Sequence, residues 1–280
     1  MIELSRSSVM LFEMSFEEAM IAAGALLTAA LATLWTYRSR LYRTLGERQQ
    51  SIRDAGFTGT TTIAERNLPP FDERLAVIQN PLPPDQFERL SAEINSLQTT
   101  ERNYVPTHKK GGTIAYETLC TKAPSVVAYY LSPELHDLLS RVVGVKVQPT
   151  PLHDQSSCSI LFYERPGDHI GWHYDHNFYR GRHFTVLVPI VNRNADGSGL
   201  SAARLFTKIG KEERQIPTPP NSLVVFEGAK VIHKATPIAE GERRVVLSMT
   251  FCTDPRNTLI QGIARRIKDT AFFGIRALWT

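Results

Sequence analysis

The chain has 280 residues, 42% apolar and 21% charged, with a formal net charge of +4. With a mean hydropathy of −0.20, it is neither a polytopic membrane protein nor a disordered chain, and it is long enough for one or two domains with a full core. Cys120, Cys158 and Cys252 are odd in number, far apart and without a CxxC pair. No disulfide framework or thiolate zinc site is expected, and a reducing compartment fits.

The N-terminal tail, residues 1–18, precedes an uncharged run from Ala19 to Tyr37, close to the roughly 20 residues a helix needs to cross a bilayer. A buried soluble helix is the alternative. Glu13, Glu17 and Glu18 lie before the run, and Arg38, Arg40, Arg43, Arg48 and Arg53 follow it. That asymmetry predicts a single-pass anchor with everything C-terminal on the cytoplasmic side, and Trp35 and Tyr37 at the interface. A cleaved signal peptide would carry its cations before the apolar run.

Residues 38–70 read as a basic, helix-compatible juxtamembrane segment followed by a linker, and the globular domain is expected over 71–254. Helical spacing predicts helices over Pro84–Leu97 and Pro133–Val143, the second ended by Gly144. From Val145 onward short β-type runs follow (SCSILFY, HFTVLVPIV, NSLVVF, RRVVLSMTF), separated by turn residues. The expected fold is mainly β with flanking helices (α+β), its core an all-β sandwich or barrel, behind the N-terminal transmembrane helix. No internal repeat or phosphate-binding loop is present.

Residues 255–280 read as a basic amphipathic C-terminal helix. Leu259, Ile260, Ile263, Ile267, Ala271 and Leu278 share one face, while Arg265, Arg266, Lys268 and Arg276 share the other. The apolar face either packs on the β core or lies in the headgroup layer of the membrane. No recognition motif accompanies the charge, so no nucleic acid is expected.

Histidines crowd the segment YERPGDHIGWHYDHNFYRGRH. In an extended strand, His173 and Asp175 point to one face and can bind one metal from adjacent positions. The one histidine further along the chain is His233, after the strand Leu223–Phe226. Two histidines and a carboxylate make the triad of non-haem Fe(II) oxygenases. His169, His176 and His183 are expected outside this ligand set, around the mouth, with a substrate-positioning role open for His176, Tyr179 or Arg180.

From His233 the chain runs HKATPIAEGERRVVLSMTF, with Pro237, Gly241 and Arg243 in register. Here it resembles the 2-oxoglutarate/Fe(II)-dependent dioxygenase superfamily, in particular its prolyl-4-hydroxylase-like branch, where the last metal ligand heads H-x-x-x-P-x-x-x-G-x-R. The resemblance covers Ser157 to Asp254. Tyr163 and Gly167 match the approach to the first ligand, His173 and Asp175 the HxD, and Pro219–Phe226 the turn and strand before the closing motif. Departures are Ser222 for the turn glycine, GSGLSAARLFTK for the usual stretch after the third strand, and Phe251 where the branch often has Trp.

The resemblance implies a double-stranded β-helix (jelly-roll) core, with Fe(II) held by His173, Asp175 and His233, 2-oxoglutarate as cosubstrate, and O2. Strand alternation puts Arg243 on the face of Val245, Leu247 and Met249. If those line the barrel, its guanidinium meets the C5 carboxylate of 2-oxoglutarate, and Arg244 is outward and solvated. Tyr163 either donates its hydroxyl to the same carboxylate or is a plain core tyrosine. The carboxylate of Asp175 favours hydroxylation over halogenation. The expected protein is a membrane-anchored hydroxylase acting on a prolyl-type residue, or on a lipid or metabolite at the membrane. A non-catalytic β-helix module using the metal for sensing or scaffolding is the rival.

Overall fold

The computed structural model describes residues 15–57, 59, 63–98, 101–105, 109–274 and 277. The first part of the N-terminal tail, Thr58 and residues 60–62 of the expected linker, and Arg276 and Leu278 of the expected C-terminal helix lie outside the described residues. The chain divides into two compact units, Met1–Leu41 and Tyr42–Thr280.

The elements follow in order as α1 (Phe16–Ala55), β1 (Leu75–Gln79), α2 (Pro84–Asn95), β2 (Glu101–Val105), β3 (Lys109–Ile114), α3 (Tyr116–Lys122), α4 (Pro124–Leu131) and α5 (Pro133–Val143). After them come β4 (Gln148–Pro149), β5 (Cys158–Tyr163), β6 (His169–His173), β7 (His183–Arg193), β8 (Leu205–Ile209) and β9 (Glu212–Ile216). The chain closes with β10 (Ser222–Glu227), β11 (His233–Ala235), β12 (Arg243–Cys252) and α6 (Leu259–Phe273).

In the first unit, α1 begins where Ser15 and Glu18 exchange side-chain to backbone hydrogen bonds. Its apolar window has a mean hydropathy of 1.7, and none of it is buried. The hydroxyls of Thr28, Thr33 and Thr36 donate to the carbonyls of Gly24, Ala29 and Ala32, so the threonines of that window find their acceptors within the helix.

The second unit starts on the same helix. Leu45 and Ile52 are buried in the main core, and Phe57, Ile63 and Leu68 pack against it. The segment that reads as juxtamembrane helix and linker is therefore in part structural, because each aliphatic side chain taken from water is worth about 1.5–3 kcal/mol.

The strands form one antiparallel sheet in the order β1-β10-β7-β12-β5-β3-β6-β11-β8-β9, with β2 paired to β3 and β4 to β12. It curls. Leu187, Val224, Phe226 and Val246 from one half share an apolar cluster with Leu205 and Ile216 of β8 and β9, which stand far along the strand order. The opposite face, with Val186, Val188, Leu223, Val225, Val245, Leu247 and Met249, packs on α2 to α5 through Leu90, Leu119, Val127 and Leu138. This curled sheet backed by helices is a jelly-roll core. Both faces of β12 are buried, so alternation alone cannot say which one looks into the curl.

Two expectations reverse here. Alternate residues Arg244, Val246, Ser248 and Thr250 face the cavity inside the curl, while Val245, Leu247 and Met249 face the helices. Arg243 follows the helix side: its guanidinium donates to Glu164 at 2.8 Å and to Asn95, the last residue of α2, at 2.6 Å. It does not enter the barrel, and Arg244 does.

Helix α6 reverses in the same way. Its charged face is the buried one: Arg265 donates to the His153 carbonyl and to Asp269, and Lys268 reaches Asp269, Asp154 and Ser156. Leu259, Ile260, Ile263 and Ile267 are 83, 79, 49 and 63% exposed. The apolar face does not pack on the β core. Paired carboxylates make the inward cations tolerable, since they offset the several kcal/mol that burying an ion costs. All three cysteines are free and buried.

Candidate metal centre

Strand pairing assembles the site. His233 on β11 stands directly opposite His173 on β6, and their rings lie 4.1 Å apart between centroids. Asp175 lies two residues beyond the end of β6, where its backbone N–H donates to the Gly228 carbonyl just after β10. One ligand atom from each of His173, Asp175 and His233 lies within 4.8 Å of the others. Asp175 Oδ1 is 3.5 Å from His173 Nε2 and 4.0 Å from His233 Nε2.

Backbone carbonyls set the tautomers. His173 Nδ1 is 2.8 Å from the Gly171 carbonyl and His233 Nδ1 is 3.1 Å from that of Val231. A carbonyl only accepts, so each Nδ1 carries a proton, and each Nε2 faces the centre. Thr185 donates to Asp175 Oδ2 at 2.5 Å, leaving Oδ1 for a metal.

Burial acts on all three. It pushes His233 down to about 4, against the pull of Asp175. For Asp175 it acts upward, but His233, the His173 hydrogen bond and Thr185 outweigh it and hold the carboxyl far below the ordinary range. His173 is also opposed by burial, yet its hydrogen bond to Asp175 leaves it raised. At neutral pH the carboxylate is ionised and His233 is neutral, the forms a metal requires.

The triad opens on a cavity of about 790 Å³ whose walls are mostly apolar, including Leu161, Ile170, Leu187, Leu205 and Val246. Arg244 lines it too. Arg244 is 2% exposed, its guanidinium carbon lies 5.4 Å from the centre of the Tyr163 ring, and its Nε has no hydrogen-bond partner. Burial lowers its proton affinity, and no carboxylate pairs with it among the described residues. Tyr163 is buried beside it, and burial raises its pKa, so the phenol remains a donor.

His169 Nδ1 lies 2.8 Å from the Gly167 carbonyl, and His169 is in neither the ligand cluster nor the cavity lining. His176 lines the cavity, stacked on Phe178. His183, expected near the mouth, is instead buried in the cavity wall. Tyr179 donates to Asp154 at 2.5 Å, which makes it part of the α6 anchorage.

Residues that sequence reasoning missed support the ligands. Besides Thr185 these include Gly228: a Cβ there would stand 2.9 Å from Asp175 Cβ, 2.9 Å from Thr185 Oγ1 and 3.0 Å from His183 Nδ1. Gly228→Ala should push the Asp175 loop away and lower metal affinity about 10- to 100-fold, the usual effect of disturbing groups that orient ligands. Gly199→Ala, where the nearest atom is 3.6 Å away, should leave it unchanged. Competition against a chelating dye measures both.

A family model described as Halogenase D (HalD) matches residues 69–192, a span that includes His173 and Asp175 but not His233. No curated protein matches the chain. Among solved structures, the prolyl hydroxylase from Trichoplax adhaerens, in complex with a hypoxia inducible factor oxygen degradation domain peptide, has a TM-score of 0.51 at 14% identity, covering 75% of this chain and 92% of that one. The non-haem alpha-ketoglutarate-dependent carbocyclase SnoK from nogalamycin biosynthesis has a TM-score of 0.54 at 12% identity, covering 75% and 93%. The epimerase SnoN, in complex with Fe3+, alpha-ketoglutarate and nogalamycin RO, has a TM-score of 0.50 at 12% identity, covering 64% and 78%. At these identities the likeness is one of fold: the chain has the jelly-roll architecture of prolyl hydroxylases and other non-haem 2-oxoglutarate-dependent oxygenases.

Proposed function

We propose that the protein is a membrane-anchored Fe(II)- and 2-oxoglutarate-dependent oxygenase that hydroxylates its substrate. The observation that carries this reading is Arg244, a buried arginine that no carboxylate pairs among the described residues, in the same cavity as a His-Asp-His cluster whose two Nε2 atoms face Asp175. The donor set fits iron: two imidazoles and one carboxylate on one face, with other positions open. Arg244 fits the distal carboxylate of 2-oxoglutarate, because a buried guanidinium needs an anion and its planar fork matches a carboxylate.

Bound there, iron and 2-oxoglutarate would supply the oxidising power to insert an oxygen atom from O2 into a C–H bond, with succinate and CO2 as co-products. The chain's own residues hold and shield. His173, Asp175 and His233 would hold the metal, and Thr185 and Gly228 keep Asp175 in place. Arg244 would orient the cosubstrate, with Tyr163 packed on it as a second donor. Leu161, Ile170, Leu187, Leu205 and Val246 exclude water. The match to the Halogenase D model supports an oxidative site, while Asp175 occupies the coordination position a halide would need, which favours hydroxylation. The apolar cavity favours a lipid or metabolite over a prolyl residue in a protein.

Membrane attachment rests on two features. The uncharged window of α1 is long enough to span, and the arginines after it favour a cytoplasmic catalytic unit. The exposed aliphatic ridge of α6 suits the boundary between headgroups and acyl chains. The chain starting at Tyr42 should be released into solution and should still form succinate from 2-oxoglutarate in an Fe(II)-dependent manner, while the full chain stays in carbonate-washed membranes. Tight vesicle binding by the shortened chain, abolished by Ile263→Asn with Ile267→Asn, would move the anchorage to α6. Metal binding without succinate formation under any condition would favour the non-catalytic module.

A further inference from the structure

Lys109 is the cation for which this site has no use so far. It opens β3, is 3% exposed and faces the cavity. Its ammonium lies 4.6 Å from the centre of the Phe272 ring of α6 and near enough to His173 to oppose protonation there. Among the described residues it forms no ion pair and no hydrogen bond through its side chain.

A charge count around the cavity singles it out. Lys268 and Arg265 are matched by Asp154 and Asp269, and Asp168 behind Tyr163 is matched by Arg102. A divalent metal, Asp175, Arg244 and the dianion of 2-oxoglutarate would sum to zero. Lys109 then remains the one cationic group around the cavity without a counter-charge among the described residues; burial and the nearby Lys268 lower the pKa of its ammonium to about 7, as expected where an unmatched ion is costly.

We propose that Lys109 reads the primary substrate: a molecule with a single anionic group, a carboxylate or a phosphate monoanion, on an apolar body that fills the cavity. Lys109 binds that group beside the triad, and the walls of Leu161, Ile170 and Phe272 hold the body. This rests on the oxygenase reading, because the count includes the metal and the cosubstrate.

The test uses the full chain in lipid nanodiscs, loaded with Mn(II) and 2-oxoglutarate without oxygen so that Arg244 is occupied and no turnover occurs. Calorimetry then compares 4-phenylbutyrate, methyl 3-phenylpropyl phosphate and the neutral 4-phenylbutanamide. At least one anion should bind about 10-fold or more tightly than the amide, and which one does so distinguishes a carboxylate from a phosphate. Lys109→Met should remove that preference, with a loss of about 30-fold or more for the better anion, as expected when one partner of a buried pair is deleted. Affinity for the amide should be unchanged, and Lys109→Arg should keep the preference. If Lys109→Met does not fold, Lys109→Gln serves the same comparison. Binding of 2-oxoglutarate with no anion preferred over the amide, or a preference that survives both neutral variants, overturns the proposal and leaves the oxygenase reading standing. Failure of 2-oxoglutarate itself to bind the wild type overturns both.

Discussion

His173→Ala, Asp175→Ala and His233→Gln are each expected to abolish Fe(II)-dependent turnover of 2-oxoglutarate and to weaken metal binding by more than about 100-fold, with the fold retained. Groups that merely orient ligands are worth about 10- to 100-fold, and each of these changes deletes one donor of three. Glutamine is chosen at position 233 because the His233 ring packs at 4.6 Å on Phe226, and alanine would add a packing defect to the loss of a ligand. Asp175→Ala removes a carboxylate that the apoprotein holds ionised between two imidazoles and Thr185, so at neutral pH its melting temperature should fall, and metal binding is measured well below that temperature. His169→Ala and His183→Ala are the controls. Neither lies in the ligand cluster, and a metal that depends on either one rather than on His173 would refute the assignment.

Exchanging the adjacent arginines should have opposite consequences. Arg244→Met removes a buried guanidinium aimed into the cavity, and deleting one partner of a desolvated, charge-assisted pair costs on the order of 2–5 kcal/mol. At about 1.4 kcal/mol per factor of ten, the 2-oxoglutarate requirement should rise by about 30-fold or more, while metal affinity stays near wild type. Arg243→Met breaks partly exposed bonds to Glu164 and Asn95. Pairs of this kind contribute about 0–1 kcal/mol, so the requirement should stay within a few-fold and the melting temperature fall slightly. Titration of 2-oxoglutarate against both variants decides the matter. A larger effect at Arg243 would mean that β12 is turned the other way.

The principal strands and the helices α2 and α5 are legible because their signals are local. Strand-like runs alternate with turn residues, and α5 has its serine cap at Ser132 and left-handed Gly144 at its end. The triad is legible for a related reason: HxD places two ligands by spacing alone, and one histidine follows. Helices α3 and α4 escape such reading because α4 is apolar all round, with Val126 to Leu131 buried, so it has no amphipathic period to detect.

The sequence by itself determined the chemistry available: which side chains can bind a metal, which strands exist, and that an apolar helix precedes them. Only the tertiary structure decided which way two elements face. On β12 one face is apolar from Val245 through Leu247 and Met249 with Arg243 at its edge, and the other mixes Val246 with Ser248 and Thr250. The apolar face covers the helices and the mixed one lines the cavity, which brings in Arg244 and turns out Arg243. On α6 the cations face inward because Asp154 waits at the barrel mouth, 115 positions before Asp269, and leaves the aliphatic ridge outside. A side chain's direction depends on what stands opposite it in space, and periodicity along the chain carries no record of that partner.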